Sequence, residues 1–230
     1  MMDALIIMTR VPIPNKTKTR LMDIYTGLEC CRLHKCFLMD IFSVCNKLKN
    51  DMDIYLTYTP EHSFNELQGL IPEYIVSFPQ QGKNLGERML NSIDYVLNSG
   101  YSQVVLIGSD IPELKSEYIL KAMENLVNSD VCIGPTFDGG YYLIGMKKMH
   151  TELFNCKLSW GKKTVLQRTT EIAQGSNLRV SFTNECRDID TKEDIRDFLS
   201  SVNRYGEGEY PEYSHFYFKN NWRKCFLEEI

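Results

Sequence analysis

The feature that most limits what this chain can fold into is a run of four apolar residues, Val104–Ile107. Four such residues in a row cannot alternate between core and solvent, so a strand built from them is buried on both faces. The run stops at Gly108-Ser109-Asp110, and Pro112 cannot continue a ladder. Asp110 is therefore expected just past the C-terminal end of a central strand, the edge at which open α/β sheets bind ligands. An Asp there either caps the turn before the next helix or holds a metal ion or ligand hydroxyl, and its position favours the second.

Composition narrows the class. A chain of 230 residues with 24% charged and 43% hydrophobic residues reads as one ordinary globular domain with a full core. A net charge of -4 argues against a general nucleic-acid binder. No run of apolar residues is long enough to span a membrane. The opening MMDALIIMTR lacks a basic leader region and reads as a first strand rather than a signal peptide. Eight cysteines without CxxC spacing read as reduced thiols of a cytoplasmic protein. Cys30 and His34 have zinc-like spacing, but no second pair follows to complete a tetrahedral site.

In chain order, the first strand, Ala4–Thr9, runs into RVPIPNKTKTRL, where Arg10, Lys16, Lys18 and Arg20 place four cations in eleven residues. The loop is neither a Walker A nor a GxGxxG pattern. Its charge at a strand exit still favours anion binding over a merely solvated loop. A helix follows over Gly27–Leu48, then a strand over Asp53–Thr59, a short helix near residues 63–70 and a strand over Tyr74–Phe78. Gln81 and Gly82 lie in the next loop. They read equally as a nucleotide-base reader or as plain connection before the helix that opens at Leu85.

The second half repeats the alternation. A strand over Gln103–Ile107, a helix over Ser116–Asn128 and a strand over Val131–Gly134 lead to the turn Asp138-Gly139-Gly140. The strand Tyr141–Met146 is then expected to return antiparallel. The turn serves either as a structural hairpin or as a sugar-binding surface of Asp138, glycine amides and Tyr141. Helical pieces at His150–Phe154 and, after Trp160-Gly161, at Lys163–Ala173 precede a last strand over Leu178–Phe182. Asp188 and Asp190 then stand before a capping box, Thr191 to Asp194, that opens a helix over Lys192–Val202. The two either complement the helix N-terminus or join Asp110 in an oxygen cage for Mg²⁺ or Mn²⁺. The aromatic tail, residues 203–230, is expected to pack on the 1–202 domain or on a partner.

Four stretches taken together, IIMTRVPIPNKTKTRL, QGKNLGERM, LIGSDIPEL with GPTFDGGYYLIG, and DIDTKED, resemble the GT-A-like nucleotide-diphospho-sugar transferases of the bacterial DUF2064 branch. That branch is similar in turn to 2-phospho-lactate guanylyltransferase and the molybdenum-cofactor nucleotidyltransferases. The resemblance implies a three-layer α/β/α sandwich with a mostly parallel sheet and one antiparallel strand. It implies donor diphosphate binding by Lys18, Thr19 and Arg20 with Arg10 and Lys16 nearby. Asp110 is implied as a metal-binding residue, Asp190 as a second metal contact and Asp188 as a further candidate. Asp138, Gly139, Gly140 and Tyr141 would lie near sugar or acceptor. Asn15 stands where the family commonly has Gly, and Asn tolerates a left-handed backbone.

The resulting expectation is a metal-dependent glycosyltransferase moving a sugar from a nucleotide-diphospho-sugar to a small-molecule acceptor, with Asp110 and Asp138 catalytic and Asp138 the base. The alternatives are nucleotidyl transfer from an NTP to a phosphorylated acceptor, and a non-catalytic nucleotide-binding protein. A homodimer is the one assembly allowed for.

Overall fold

A computed structural model describes residues 2–154, 164–202 and 210–221. The elements in order are β1 (Asp3–Arg10), α1 (Gly27–Leu48), β2 (Asp53–Thr59), α2 (Asn65–Gln68), β3 (Ile75–Pro79), α3 (Leu85–Leu97) and β4 (Gln103–Gly108). There follow α4 (Ser116–Asn128), β5 (Val131–Pro135), β6 (Tyr141–Met146), α5 (Val165–Gly175), β7 (Val180–Phe182), α6 (Lys192–Val202) and α7 (Glu212–Asn221). The strands form one sheet in the order β3-β2-β1-β4-β6-β5-β7. β1 pairs in parallel with β2 and β4, and β6 runs antiparallel to both β4 and β5. Among the described residues only β6 opposes the common direction, so the C-terminal ends of β1, β2, β3 and β4 share one edge.

The continuous apolar runs explain the layers. In β1 and β4, Leu5, Ile7, Val105 and Ile107 pack on one face against Leu38, Ile41 and Cys45 of α1 and Ile119 and Met123 of α4. Ala4, Ile6, Val104 and Leu106 pack on the other against Met89, Ile93 and Val96 of α3, Leu153 and Phe154, and Ala173 of α5. The strand period of two sends alternate residues to opposite cores. A strand with a core on each side needs every residue apolar. This is the three-layer α/β/α sandwich with one antiparallel strand that the resemblance implies.

Local signals match most elements. Thr26 and Glu29 form a capping box at the start of α1: the Thr26 amide donates to Glu29 Oε2 at 2.8 Å, and the Glu29 amide to Thr26 Oγ1 at 3.3 Å. The short helix expected near residues 63–70 is broken into a 3₁₀ turn, Glu61–Ser63, and the four-residue α2, with only Leu67 of these buried. Of the α5 reading, the segment from 155 to 163 lies outside the described residues, with Trp160-Gly161 and Lys163. So do 203–209 and 222–230 of the tail, and Cys156 and Cys225. The other six cysteines are free thiols. Among the described residues no helix is long and apolar enough to cross a membrane.

A third core, off the sheet, joins Leu21, Leu33 and Phe37 to Ile189, Ile195 and Phe198 of the α6 region and to Phe218 of α7. It fixes the loop after β1 and the start of α6 to the same end of α1.

Candidate active site

A cleft of about 720 Å³ opens at the C-terminal edge of β1 and β4, between the loop after β1, the start of α3, the β5–β6 turn and the residues before α6. Each wall is set by its own local chemistry.

The loop after β1 is pinned by Thr17, whose Oγ1 accepts from the Ile13 amide at 3.0 Å and donates to Val11 O at 3.1 Å. Asn15 and Lys18 both adopt left-handed backbone, with φ 61° and 51°. The Asn15 conformation agrees with the tolerance expected of Asn there. Lys18 then starts a 3₁₀ turn over Thr19–Asp23, anchored by buried Leu21.

The Lys18 side chain is 3% exposed. Its Nζ lies 2.8 Å from Asp110 Oδ1 and 3.1 Å from Asp190 Oδ1, and donates to Ile189 O at 2.6 Å. The Phe37 ring lies 4.9 Å away. Burial alone would lower the Lys18 pKa, but the Asp110 and Asp190 charges outweigh it, and the ammonium is held above its usual range. Asp110 is shifted the opposite way. Desolvation opposes its ionisation, and Lys18, then His34, more than compensate. The Asp110 side chain is nonetheless 44% exposed, so it faces the cleft while Lys18 lies beneath the surface.

His34 of α1 completes this floor. Its Nε2 is 3.1 Å from Arg10 O and 3.0 Å from Thr9 Oγ1. A carbonyl only accepts, so Nε2 carries the proton and Nδ1 is left as an acceptor. Nδ1 is buried with no hydrogen-bond partner and lies 3.7 Å from Asp110 Oδ1. Burial pushes the His34 pKa down to about 4, so the ring is neutral near pH 7.

Opposite stands the β5–β6 turn. Asp138 Oδ1 accepts from Thr136 Oγ1 at 2.6 Å and from the Gly140 amide at 3.0 Å. Gly139 has φ 87°, which glycine adopts freely. A Cβ on Gly140 would sit 3.0 Å from Thr136 Oγ1 and 3.2 Å from Asp138 Oδ1. The glycine pair thus shapes the turn that presents Asp138. Tyr141 lines the cleft, but its hydroxyl is buried beside Thr169, and burial raises its pKa. Tyr142 donates to Asn184 O at 3.0 Å.

The last wall comes from the α6 approach. The expected capping box is present: Asp194 Oδ2 accepts from the Thr191 amide at 2.8 Å, and Thr191 Oγ1 accepts from the Asp194 amide at 3.3 Å. It aims Asp190 back at the β1 loop, where Oδ1 meets Lys18 and Oδ2 lies 3.4 Å from Arg20 Nη1. Asp188 has its pKa pushed up to about 6 by burial, then by the charges of Asp138, Asp190 and Asp194.

The cleft therefore collects Arg10, Lys16, Lys18, Thr19, Arg20, Asp110, Asp138, Gly140, Tyr141, Asp188 and Asp190. Gln81, Gly82 and Gly139 do not line it. Gln81 O accepts from Asn91 at 2.8 Å, and Gly82, at φ 138°, turns the chain so that its carbonyl accepts from Arg88 Nε at 3.1 Å. The wall there is made instead by Gln80, Lys83, Asn84 and Arg88. Gln80 is committed to structure, with Nε2 donating to Thr9 O at 2.9 Å and Thr57 O at 3.0 Å.

Sequence reasoning missed Lys83 and Arg88, and it weighed His34 only as a zinc ligand with Cys30. His34 had a signal: it follows Cys31 by three residues and precedes Leu38 by four, a polar group on the apolar face of α1. Among the described residues no three or more His, Cys, Asp or Glu side chains are gathered so as to hold a metal ion by themselves.

Comparison with known proteins agrees with this architecture. The sequence model of a family described as "Uncharacterized protein conserved in bacteria (DUF2064)" matches residues 45–162. A crystal structure from Desulfovibrio desulfuricans G20, provisionally named a nucleotide-diphospho-sugar transferase, is 29% identical over 100% of both chains with a TM-score of 0.87. A cytidylyltransferase from Leptospira borgpetersenii is 16% identical over 100% of this chain and 99% of its own, with a TM-score of 0.56. The 4-diphosphocytidyl-2C-methyl-D-erythritol synthase of Anaerococcus prevotii is 12% identical over 88% of this chain and 96% of its own, with a TM-score of 0.57. The last two likenesses concern the fold alone. No curated protein matches the chain.

Proposed function

Because the chain belongs to the DUF2064 family, we propose that its cleft binds a nucleotide-diphospho-sugar and transfers the sugar to a small hydroxylated acceptor. The observation that carries this reading is the meeting of a cationic wall and a carboxylate wall at one strand edge, with the Lys18 ammonium between Asp110 and Asp190. Arg10, Lys16, Lys18 and Arg20, with Thr19 beside them, supply donors for diphosphate oxygens, Arg as a planar fork and Lys as a point charge.

In the reaction the bond between the anomeric carbon and the diphosphate oxygen breaks, and its electron pair leaves on the nucleoside diphosphate. The cations hold the charge that develops there. The acceptor hydroxyl oxygen forms the new bond to the anomeric carbon and gives its proton to Asp138. Thr136 and the Gly140 amide occupy Asp138 Oδ1, which fixes the carboxylate and leaves Oδ2 for that proton. The Tyr141 ring forms part of the wall beside it.

A divalent ion fits the donor set. The atoms around Lys18 Nζ are all oxygens, hard ligands of the kind Mg²⁺ and Mn²⁺ take. Asp110 and Asp190, with Asp188 adjacent, would hold it. When bound, it would neutralise charge on the leaving diphosphate. The free cysteines suit a reducing cytoplasm.

A second reading, nucleotidyl transfer from an NTP to a phosphorylated acceptor, is favoured by Lys83 and Arg88. They extend the positive wall beyond the β1 loop and could receive further phosphate. The test is incubation with Mg²⁺ or Mn²⁺ and a panel of nucleotide-sugars and NTPs. Sugar transfer predicts release of nucleoside diphosphate from a nucleotide-sugar. Pyrophosphate release from an NTP in the presence of a phosphorylated acceptor overturns it. Binding without turnover of either donor supports a non-catalytic protein.

A further inference from the structure

We infer that Lys18 is a resident cation: it occupies the seat between Asp110 and Asp190 in the donor-free protein and must leave that seat for a divalent ion to take it. The inference rests on the metal-dependent reading above and adds an order of events to it.

The geometry is that of an occupied site. Nζ lies 2.8 Å from Asp110 Oδ1, 3.1 Å from Asp190 Oδ1 and 2.6 Å from Ile189 O. Both Asp190 oxygens already face a cation, Oδ1 the Lys18 ammonium and Oδ2 the Arg20 guanidinium, with Nη1 at 3.4 Å. An ion coordinated by oxygens at roughly 2.0–2.2 Å could not share Asp190 Oδ1 with an ammonium without close cation–cation contact. Among the described residues, moreover, no three acidic, cysteine or histidine side chains are gathered to hold an ion unaided. An ion seated on Asp110, Asp190 and Ile189 O would therefore complete its shell with water or, more strongly, with the donor phosphates that this cleft is charged to bind.

The same phosphates give Lys18 somewhere to go. It belongs to the loop that carries Arg10, Lys16 and Arg20 into the cleft, and its left-handed φ of 51° places it at a strained joint. His34 supplies an independent sign that the seat is incomplete. His34 lines the cleft, and its Nδ1 is buried without a hydrogen-bond partner, 3.7 Å from Asp110 Oδ1. An acceptor facing a carboxylate is satisfied by neither Lys18 nor Asp110 as they stand.

Two consequences follow. The ion alone competes with a tethered ammonium and binds poorly. Ion and donor favour each other, because phosphate that draws Lys18 away frees the carboxylates, and this coupling is reciprocal.

The experiment titrates the full-length protein with MnCl₂ alone, reading free Mn²⁺ by electron paramagnetic resonance and melting temperature in parallel. In Lys18→Met the seat is vacant, and Mn²⁺ is expected to bind about tenfold or more tightly than to wild type, within the usual span of such couplings. Its melting temperature rises with Mn²⁺, while wild type and Lys18→Arg stay flat. Equal Mn²⁺ affinity in wild type and Lys18→Met overturns the inference. If Lys18→Met does not fold unaided, its refolding yield across a MnCl₂ series decides: a yield that rises with Mn²⁺ supports the resident-cation role, and a yield indifferent to Mn²⁺ overturns it. Neither readout needs turnover. Unchanged Mn²⁺ affinity beside active sugar transfer removes this inference alone, and tightened affinity without turnover of any donor removes the proposed function alone.

Discussion

Helix α1 separates two acidic side chains that the fold treats in opposite ways. On the cleft side Asp110 meets a full positive charge, Lys18, and stays ionised below the usual carboxylate range. On the far side Asp40, 4% exposed, meets only neutral donors: the backbone amides of Tyr213 and Ser214, each at 2.9 Å, and the Ser214 hydroxyl. Burial pushes the Asp40 pKa up to about 6, with the Ser214 and Tyr213 hydrogen bonds pulling the other way. A charged partner keeps a carboxylate ready for chemistry. Hydrogen bonds to a helix N-terminus make one an anchor. The two regions are joined in space through α1: Phe37 lies under Lys18, and its ring centroid is 6.3 Å from that of Phe218 in α7.

The comparison can be broken most forcefully at the anchor. Phe218→Ala empties a fully buried position of the third core and should cost about 3–5 kcal/mol, read by urea denaturation. A loss below about 1 kcal/mol would mean that α7 adds little to this core. At the cleft, Asp110→Asn should lower the rate of donor turnover by about 10²–10³-fold, the usual effect of losing one preorganised electrostatic group. Asp40→Asn should leave the rate within about twofold, and equal losses at the two positions would erase the distinction.

A pH series sharpens the contrast further. The folded pKa of Asp40, about 6, is above the usual aspartate value of 3.8, so the folded state binds more protons between the two. Wild-type stability should therefore fall relative to Asp40→Asn as pH rises from about 4 to 6, by about 2–3 kcal/mol. His34 acts with the opposite sign. Its folded pKa of about 4 lies below the usual 6.5, so the stability it contributes is lost as pH falls through that window. The difference curve between wild type and Asp40→Asn cancels His34 and isolates the anchor, and a flat curve would show Asp40 ionising as freely folded as unfolded. The smallest expected effect is Thr26→Ala. Removal of the α1 capping box should cost about 1 kcal/mol in thermal melts without changing the contrast between Asp110 and Asp40.

Much of this was readable residue by residue. The apolar runs of β1 and β4 announce a two-faced sheet, Asp138-Gly139-Gly140 announces the turn that brings β6 back, and Thr191 with Asp194 announces a helix start. The loop at Gln80–Arg88 was read less well. Glycine and glutamine mark a turn, but which side chains reach the cleft depends on how that turn folds, and the cations Lys83 and Arg88 rather than Gln81 and Gly82 form the wall. Asp40 carries no local signal of its role, because its partners come from a tail 173 and 174 residues away.

The chain by itself determined the alternation of strand and helix, the burial of β1 and β4 on both faces, the left-handed turn at Asn15 and the placement of charged loops after apolar strands. Each of these depends on backbone preference, side-chain period or capping within a few residues. Tertiary structure alone decided that Lys18 would reach across 172 residues to Asp190 and place its ammonium between that carboxylate and Asp110. The strand order, with β4 beside β1, and the third core, which ties the β1 loop to the α6 approach, bring those groups to one point. Such a meeting depends on how whole layers pack, and no local pattern encodes it.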